Sequence, residues 1–255
     1  MKKKKIIIGV CVVCLVLVRI FTPYLGRPFL IKCYSRESSG KRYYLSNKVY
    51  SIHILEADDT IIKFIKYCTE LEDVSVSKGY RSGEIIPVDV NDIANPNLKS
   101  LQILGETVNL SSLNKCTKLE HLFLDIDDLN IEDISELKKL KYLTIYSNEI
   151  NSLNKLNEFQ NLEELELYCW DDDIDCADFS KLKNVEKMFL SSGGKITGLD
   201  KLDSVESLII YSGQVTEEEI CGMDSLEELT IYNTKFSEEV ESALREKGVI
   251  VNYRD

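Results

Sequence analysis

Histidine is nearly absent from this chain. His53 and His121 are the only two in 255 residues, and no Ser, Cys or carboxylate motif accompanies either along the sequence. Nucleophile, base and orienting acid are therefore not found at a recognisable spacing, so no catalytic residues are assigned and no enzyme is expected. Zinc spacing is missing as well: the pair Cys11 and Cys14 sits inside an apolar run, and the other cysteines form no CxxC pair. Basic charge is scarce beyond residue 48. Residues 1–48 hold 11 of the 31 Lys and Arg but only one acid, Glu37, which leaves 20 basic against 42 acidic residues and a net charge near −22 for the rest. Such a body repels phosphate backbones, which argues against nucleic acid as a partner and leaves basic partners open.

Long apolar runs are limited to the N-terminus. Lys2 to Lys5 precede Ile6–Val18, 13 residues followed by Arg19. That length suits a signal peptide, whereas a span takes about 20 residues, reached at Leu25 if Arg19 extends to the headgroups. Small residues at a cleavage site are lacking, and Val10 and Val13 precede Cys11 and Cys14 where a lipoprotein signal needs a small residue. An uncleaved membrane anchor over residues 1–26 is expected ahead of a cleaved signal. Basic residues on both sides of the run leave its orientation weakly specified. Residues 27–44 read as a basic tether or a small cap hairpin.

What is present is a repeat. Strand-like segments begin at Val49, Leu71, Leu98, Leu119, Leu140, Leu162, Val185, Val205 and Leu226, at spacings of 22, 27, 21, 21, 22, 23, 20 and 21 residues. In each, the fourth and sixth positions are apolar and the third and fifth vary, the alternation of a strand with one buried face. Apolar residues then return every three, as in Ile150, Leu153, Leu156 and Phe159, which fits a tight helical or 3₁₀ return. No unit can bury its apolar face alone; stacked units share one core.

The pattern LxxLxLxxNxIxxLxxLxxLxx of residues 140–161 resembles the 22-residue class of leucine-rich repeats found in bacterial internalin-like proteins. The resemblance implies an α/β solenoid: an arc or horseshoe with a parallel concave sheet, 3₁₀ or short-helix turns on the convex side, and helical caps. Its domain would span 45–255, with an N-cap at 45–70 and a C-cap at 236–255. Asn148 matches the family asparagine that satisfies backbone groups along the edge, but Gly79, Glu106, Asp127, Trp170, Gly193, Gly213 and Thr234 stand at the equivalent places. An interrupted ladder and a less rigid solenoid are expected. Ser237 and Gly248 bound a capping helix, with VIVNY as a last strand; Asp58–Glu70 reads as an amphipathic helix; and Gly83, Pro87 and Pro96 mark a protruding loop.

In this register Cys68, Cys116 and Cys176 fall at core positions, and Cys169 and Cys221 nearer the surface. A bond from Cys68 to Cys116 would cross two strand spacings of about 4.8 Å, beyond the limit of about 7 Å between Cα atoms. Asp171, Asp173 and Asp175 open like a calcium loop, but Cys176 and Leu182 stand where its Gly and Glu belong, so a solvated edge loop is expected and no metal or cofactor is assigned. SSGGKI (Ser191–Ile196) lacks the first glycine of a phosphate loop, since Phe189 holds that place.

Third, fifth and seventh positions share the open face of the strands. They give Phe123, Tyr142, Tyr146, Tyr168, Phe189, Ile209, Tyr211 and Tyr232, interleaved with acids. Tyrosine suits strand surfaces, and cross-strand stacking contributes about 0.2–1 kcal/mol per pair. Phe123, Phe189 and Ile209, however, offer water no polar atom, and aromatic rings with a polar tip are typical of protein-binding patches. These eight residues are the expected partner-binding site. With the lysine-rich leader, the resemblance implies a bacterial, membrane-anchored protein displayed outside the cytoplasm at the cell surface, binding a protein through its concave sheet. A structural scaffold at the cell envelope and a glycan-binding module are the alternatives.

Overall fold

The computed structural model describes residues 30–34, 42–46, 48–55, 62, 65, 68–77 and 87–254. β1 (Leu30–Tyr34) and β2 (Arg42–Ser46) pair as an antiparallel hairpin. The main sheet begins with β3 (Ser51–Leu55) and β4 (Asp73–Ser77). Thereafter sheet strands alternate with short outer ones: β5 (Val88–Asp89), β6 (Ser100–Leu104), β7 (Thr107–Val108), β8 (His121–Asp125), β9 (Asp128–Asn130), β10 (Tyr142–Ser147), β11 (Glu149–Asn151), β12 (Glu164–Cys169) and β13 (Ile174–Asp175). β14 (Lys187–Thr197), β15 (Ser207–Gln214), β16 (Glu228–Tyr232) and β17 (Ile250–Arg254) complete it. The sheet order is β3-β4-β6-β8-β10-β12-β14-β15-β16-β17, all parallel, each repeat lying beside the next.

The core follows the leucine pattern. Leu140, Leu143 and Ile145, the first, fourth and sixth positions of one unit, are buried, as are Leu162, Leu165 and Leu167 of the next. Return segments at Leu110–Lys115, Ile131–Ile134, Leu153–Glu158, Cys176–Phe179 and Leu199–Lys201 are 3₁₀ turns. Three residues per turn puts Ile131 and Ile134 on one face, and both are fully buried. Helices α1 (Val90–Ile93), α2 (Glu217–Gly222) and α3 (Glu238–Glu246) replace the 3₁₀ turn elsewhere.

Ser237 caps α3 by accepting from the Val240 N–H at 3.5 Å, Gly248 leaves it at φ +87°, and β17 then pairs with β16. At the other end, Ile62 and Ile65 are helical and buried, and the rest of the expected helix lies outside the described residues. The protruding loop is corrected in part. Val88, Val90 and Ile93 are fully buried in β5 and α1, because their apolar side chains supply the wall of the long unit; residues 78–86 lie outside the described residues.

Backbone groups along the edge are served from the eighth position of the repeat, one place before the family asparagine. Ser147 Oγ contacts the carbonyls of Asp127 (2.9 Å) and Glu149 (2.8 Å). Cys169 Sγ donates to Asn148 O at 3.4 Å, Ser192 Oγ to Asp172 O at 2.7 Å and Ser212 Oγ to Ser192 O at 3.3 Å. A second ladder runs just before the strands. Asn161 donates to Lys138 O (2.7 Å), Asn184 to Gln160 O (2.6 Å) and Ser204 to Leu182 O (2.8 Å). Apart from the local Ser147 to Glu149 contact, each bond reaches one unit upstream, so polar side chains at both ends of the strands tie neighbouring repeats together.

Candidate binding face

In-register parallel pairing sets Tyr146 opposite Tyr168 and both one strand spacing apart, about 4.8 Å. That is a ring-stacking distance, and the two rings stack with centroids 4.1 Å apart and planes 7° from parallel. Phe123 extends the row at 5.4 Å from Tyr146. Tyr211 and Tyr232 continue it beyond Ser191, at 4.8 Å from each other. A second row begins with Tyr142, stacked on His121 at 4.4 Å. Phe123, Tyr142, Tyr146, Tyr168, Phe189, Ile209 and Tyr232 are half-buried, while Tyr211 is 50% exposed.

Tyr211 departs from the expected seventh position. Leu190 pairs with Ile210 but Ser191 pairs with Ser212, so Tyr211 is an extra residue in β15. The bulge falls where the repeat spacing is shortest, 20 residues, and the pairing offset is 21 at Ser191 and Ser212 before a second shift at Lys195 and Gln214. Trp170, 48% exposed and 6.5 Å from Tyr168, adds a ring that the strand pattern missed because it occupies the asparagine place of the edge. An aromatic where the family has asparagine was the available signal.

Carboxylates share this face. Burial, then the neighbouring Glu164, raises the Glu166 carboxyl above its ordinary value; burial, then Asp127, raises Asp125. The Tyr168 hydroxyl is raised by burial first, then by its hydrogen bond with Tyr146, with Tyr211 contributing from across Ser191. Tyr142 donates to Glu163 Oε2 at 3.3 Å, and Glu163 raises its hydroxyl.

His53 does have neighbours, contrary to its isolation along the sequence. Ser51 Oγ lies 3.1 Å from His53 Nε2 and donates to Asp73 Oδ2 at 2.8 Å, and Asp73 Oδ2 lies 3.5 Å from the same Nε2. Register brings them together, Ser51 opposite Asp73. A nucleophile relay needs Ser and Asp on different ring nitrogens. Here both meet Nε2, and the hydroxyl proton is directed at the carboxylate.

Cys68, Cys116 and Cys176 are buried, and burial raises the thiols of Cys116 and Cys176. Cys169 is corrected from surface to core at 2% exposure, because its thiol takes a ladder position. Cys221 is half-buried. Asp173 accepts from the Lys195 N–H at 2.6 Å and Asp175 from the Ala177 N–H at 3.0 Å, so two of the three alternating acids hold the edge loop's backbone.

The chain has the leucine-rich repeat fold. Among solved structures it is similar to the internalin InlF from Listeria monocytogenes str. 4b F2365, at 16% identity and a TM-score of 0.51 over 76% of this chain and 66% of that one. It is also similar to TLR13, solved as a complex with ssRNA13, at 18% identity and a TM-score of 0.51 over 79% of this chain and 35% of that one. The chain thus spans about two thirds of the length of the internalin and about a third of TLR13. No family model and no curated protein matches it. Among the described residues no helix is long and apolar enough to cross a membrane; the expected anchor, residues 1–26, lies outside them.

Proposed function

We propose that the chain is a non-enzymatic binding protein that holds a partner protein on its concave sheet, with residues 1–26 as membrane anchor and the repeats outside the cytoplasm. One observation carries the binding reading: the Tyr146 and Tyr168 rings are already stacked across successive repeats, with the Phe123 ring tilted against Tyr146. Side chains fixed before contact lose little ordering entropy on binding. Phe189 and Ile209 add apolar surface between the two tyrosine groups, and Tyr142 and Tyr232 extend it at either side. Replacing Tyr146, Tyr168 and Tyr211 together by Ala in the full chain should abolish partner capture and leave circular dichroism unchanged. Undiminished capture by that folded variant refutes the site. Protease treatment of intact and lysed cells, following a tag at Asp255, tests location; repeats protected until lysis would refute display outside the cytoplasm.

A further inference from the structure

The ring row has a notch. Ser191 is in register with Tyr168, so its hydroxyl belongs to the open face, yet the residue is 0% exposed. Its register partners are Tyr168 on one side and Ser212 on the other, and the bulged Tyr211 stands between Ile210, opposite Leu190, and Ser212. The Ser191 hydroxyl has no hydrogen-bond partner. A buried, unpaired hydroxyl costs free energy, and a site that leaves one waiting is suited to a ligand that satisfies it.

Beside the notch lies charge without a counter-ion. Glu166 precedes Tyr168 by two residues on the same face and pairs in register with Phe189, one diagonal step from Ser191. Among the described residues neither Glu164 nor Glu166 has a Lys, Arg or His partner within 4.0 Å, although Lys187 stands opposite Glu164.

We propose that this notch receives an arginine side chain of the partner protein, its guanidinium plane between the rings of Tyr168 and Tyr211, donating to Ser191 Oγ and to the Glu166 carboxylate. The occupant's chemistry follows from the lining. Two aromatic faces select a flat cation, and a carboxylate and a hydroxyl need donors spread over a fork, which guanidinium supplies and ammonium does not. Tyr211, half exposed at its bulge, is the ring that turns aside for entry. The net charge near −22 beyond residue 48 draws a basic segment toward the face. This inference rests on the concave-sheet reading above and names the chemistry that reading requires of the partner.

The test uses the full chain in detergent micelles, tyrosine-labelled for NMR, titrated with the N-acetyl, N-methylamide derivatives of arginine, lysine and citrulline. The arginine probe should shift the Tyr168 and Tyr211 ring signals saturably, with lysine and citrulline about tenfold weaker or more. Ser191→Ala should weaken the arginine probe roughly three- to tenfold without lowering Tm, since it removes a hydroxyl that bonds nothing in the free protein. Glu166→Gln should weaken it about tenfold or more. No saturable shift, citrulline binding equal to arginine, or unchanged affinity in both variants overturns the inference. If the Tyr146, Tyr168 and Tyr211 variant loses partner capture while the arginine probe fails to bind, only this inference falls. If that variant captures normally, the concave-sheet reading falls with it.

Discussion

Ser191 and Ser192 are adjacent, both buried and both hydroxyl-bearing, yet their alanine variants should differ sharply. Ser192 Oγ donates to Asp172 O at 2.7 Å and accepts from the Gly194 N–H at 2.9 Å, whereas Ser191 Oγ bonds nothing. Ser192→Ala strands two backbone groups. Each stranded group costs about 1–3 kcal/mol when fully dry. Asp172 is exposed and Gly194 half-buried, so water recovers part of the loss and about 1.5–3 kcal/mol remains for the pair. At about 2–4 °C per kcal/mol for a domain of this size, Tm should fall by roughly 3–12 °C. In Ser191→Ala the desolvation of an unpaired hydroxyl disappears with it, so stability should hold or rise by up to about 1 kcal/mol. Urea unfolding and thermal melts of both variants, followed by circular dichroism, measure the contrast. Equal losses, or a harmless Ser192→Ala, would refute the claim that the eighth-position hydroxyls replace the asparagine ladder.

Glycines separate contact from conformation. A Cβ at Gly193 would lie 1.8 Å from Trp170 O, while one at Gly248 meets nothing within 4 Å. Gly193→Ala should therefore cost about 3 kcal/mol or more through backbone displacement, and Gly248→Ala only about 1–2 kcal/mol through its positive φ, as read from denaturant midpoints. Glu166 carries a pH signature. Its folded pKa is raised, so the folded state binds the proton more tightly and stability is lost as pH rises through that pKa. Glu166→Gln should raise Tm at neutral pH, with the gain fading below the ordinary carboxyl value of 4.5; a gain that grows in acid would contradict the sign. Residue-resolved alkylation by mass spectrometry should find Cys116, Cys169 and Cys176 unreactive in the folded chain and modified in urea, and rapid labelling of any of them while folded would contradict their burial.

The repeat was legible because burial imposes a rule on every unit. Leu143, Ile145, Leu165 and Leu167 had to be apolar at the same two positions, and each is buried. The edge was less legible. A ladder can be served by any short side chain with a proton to give, so Ser147, Cys169, Ser192 and Ser212 did the work while asparagine was the residue to look for. The open-face row was readable by strand parity at Tyr146 and Tyr168. The register at Tyr211 was not readable, because a bulge adds one residue without altering the leucine pattern on either side.

By itself, then, the sequence determined the repeat, the buried face and the aromatic character of the open one, since these depend on period and polarity within each unit. Tertiary structure alone decided which groups meet. It set Ser51, His53 and Asp73 together across β3 and β4, left the Ser191 hydroxyl unpaired beside Tyr168, and put Trp170 O where only a glycine at 193 fits. The physical reason is that contacts between repeats depend on register to within one residue and on distance to within an ångström, and spacings that vary from 20 to 27 residues do not fix either.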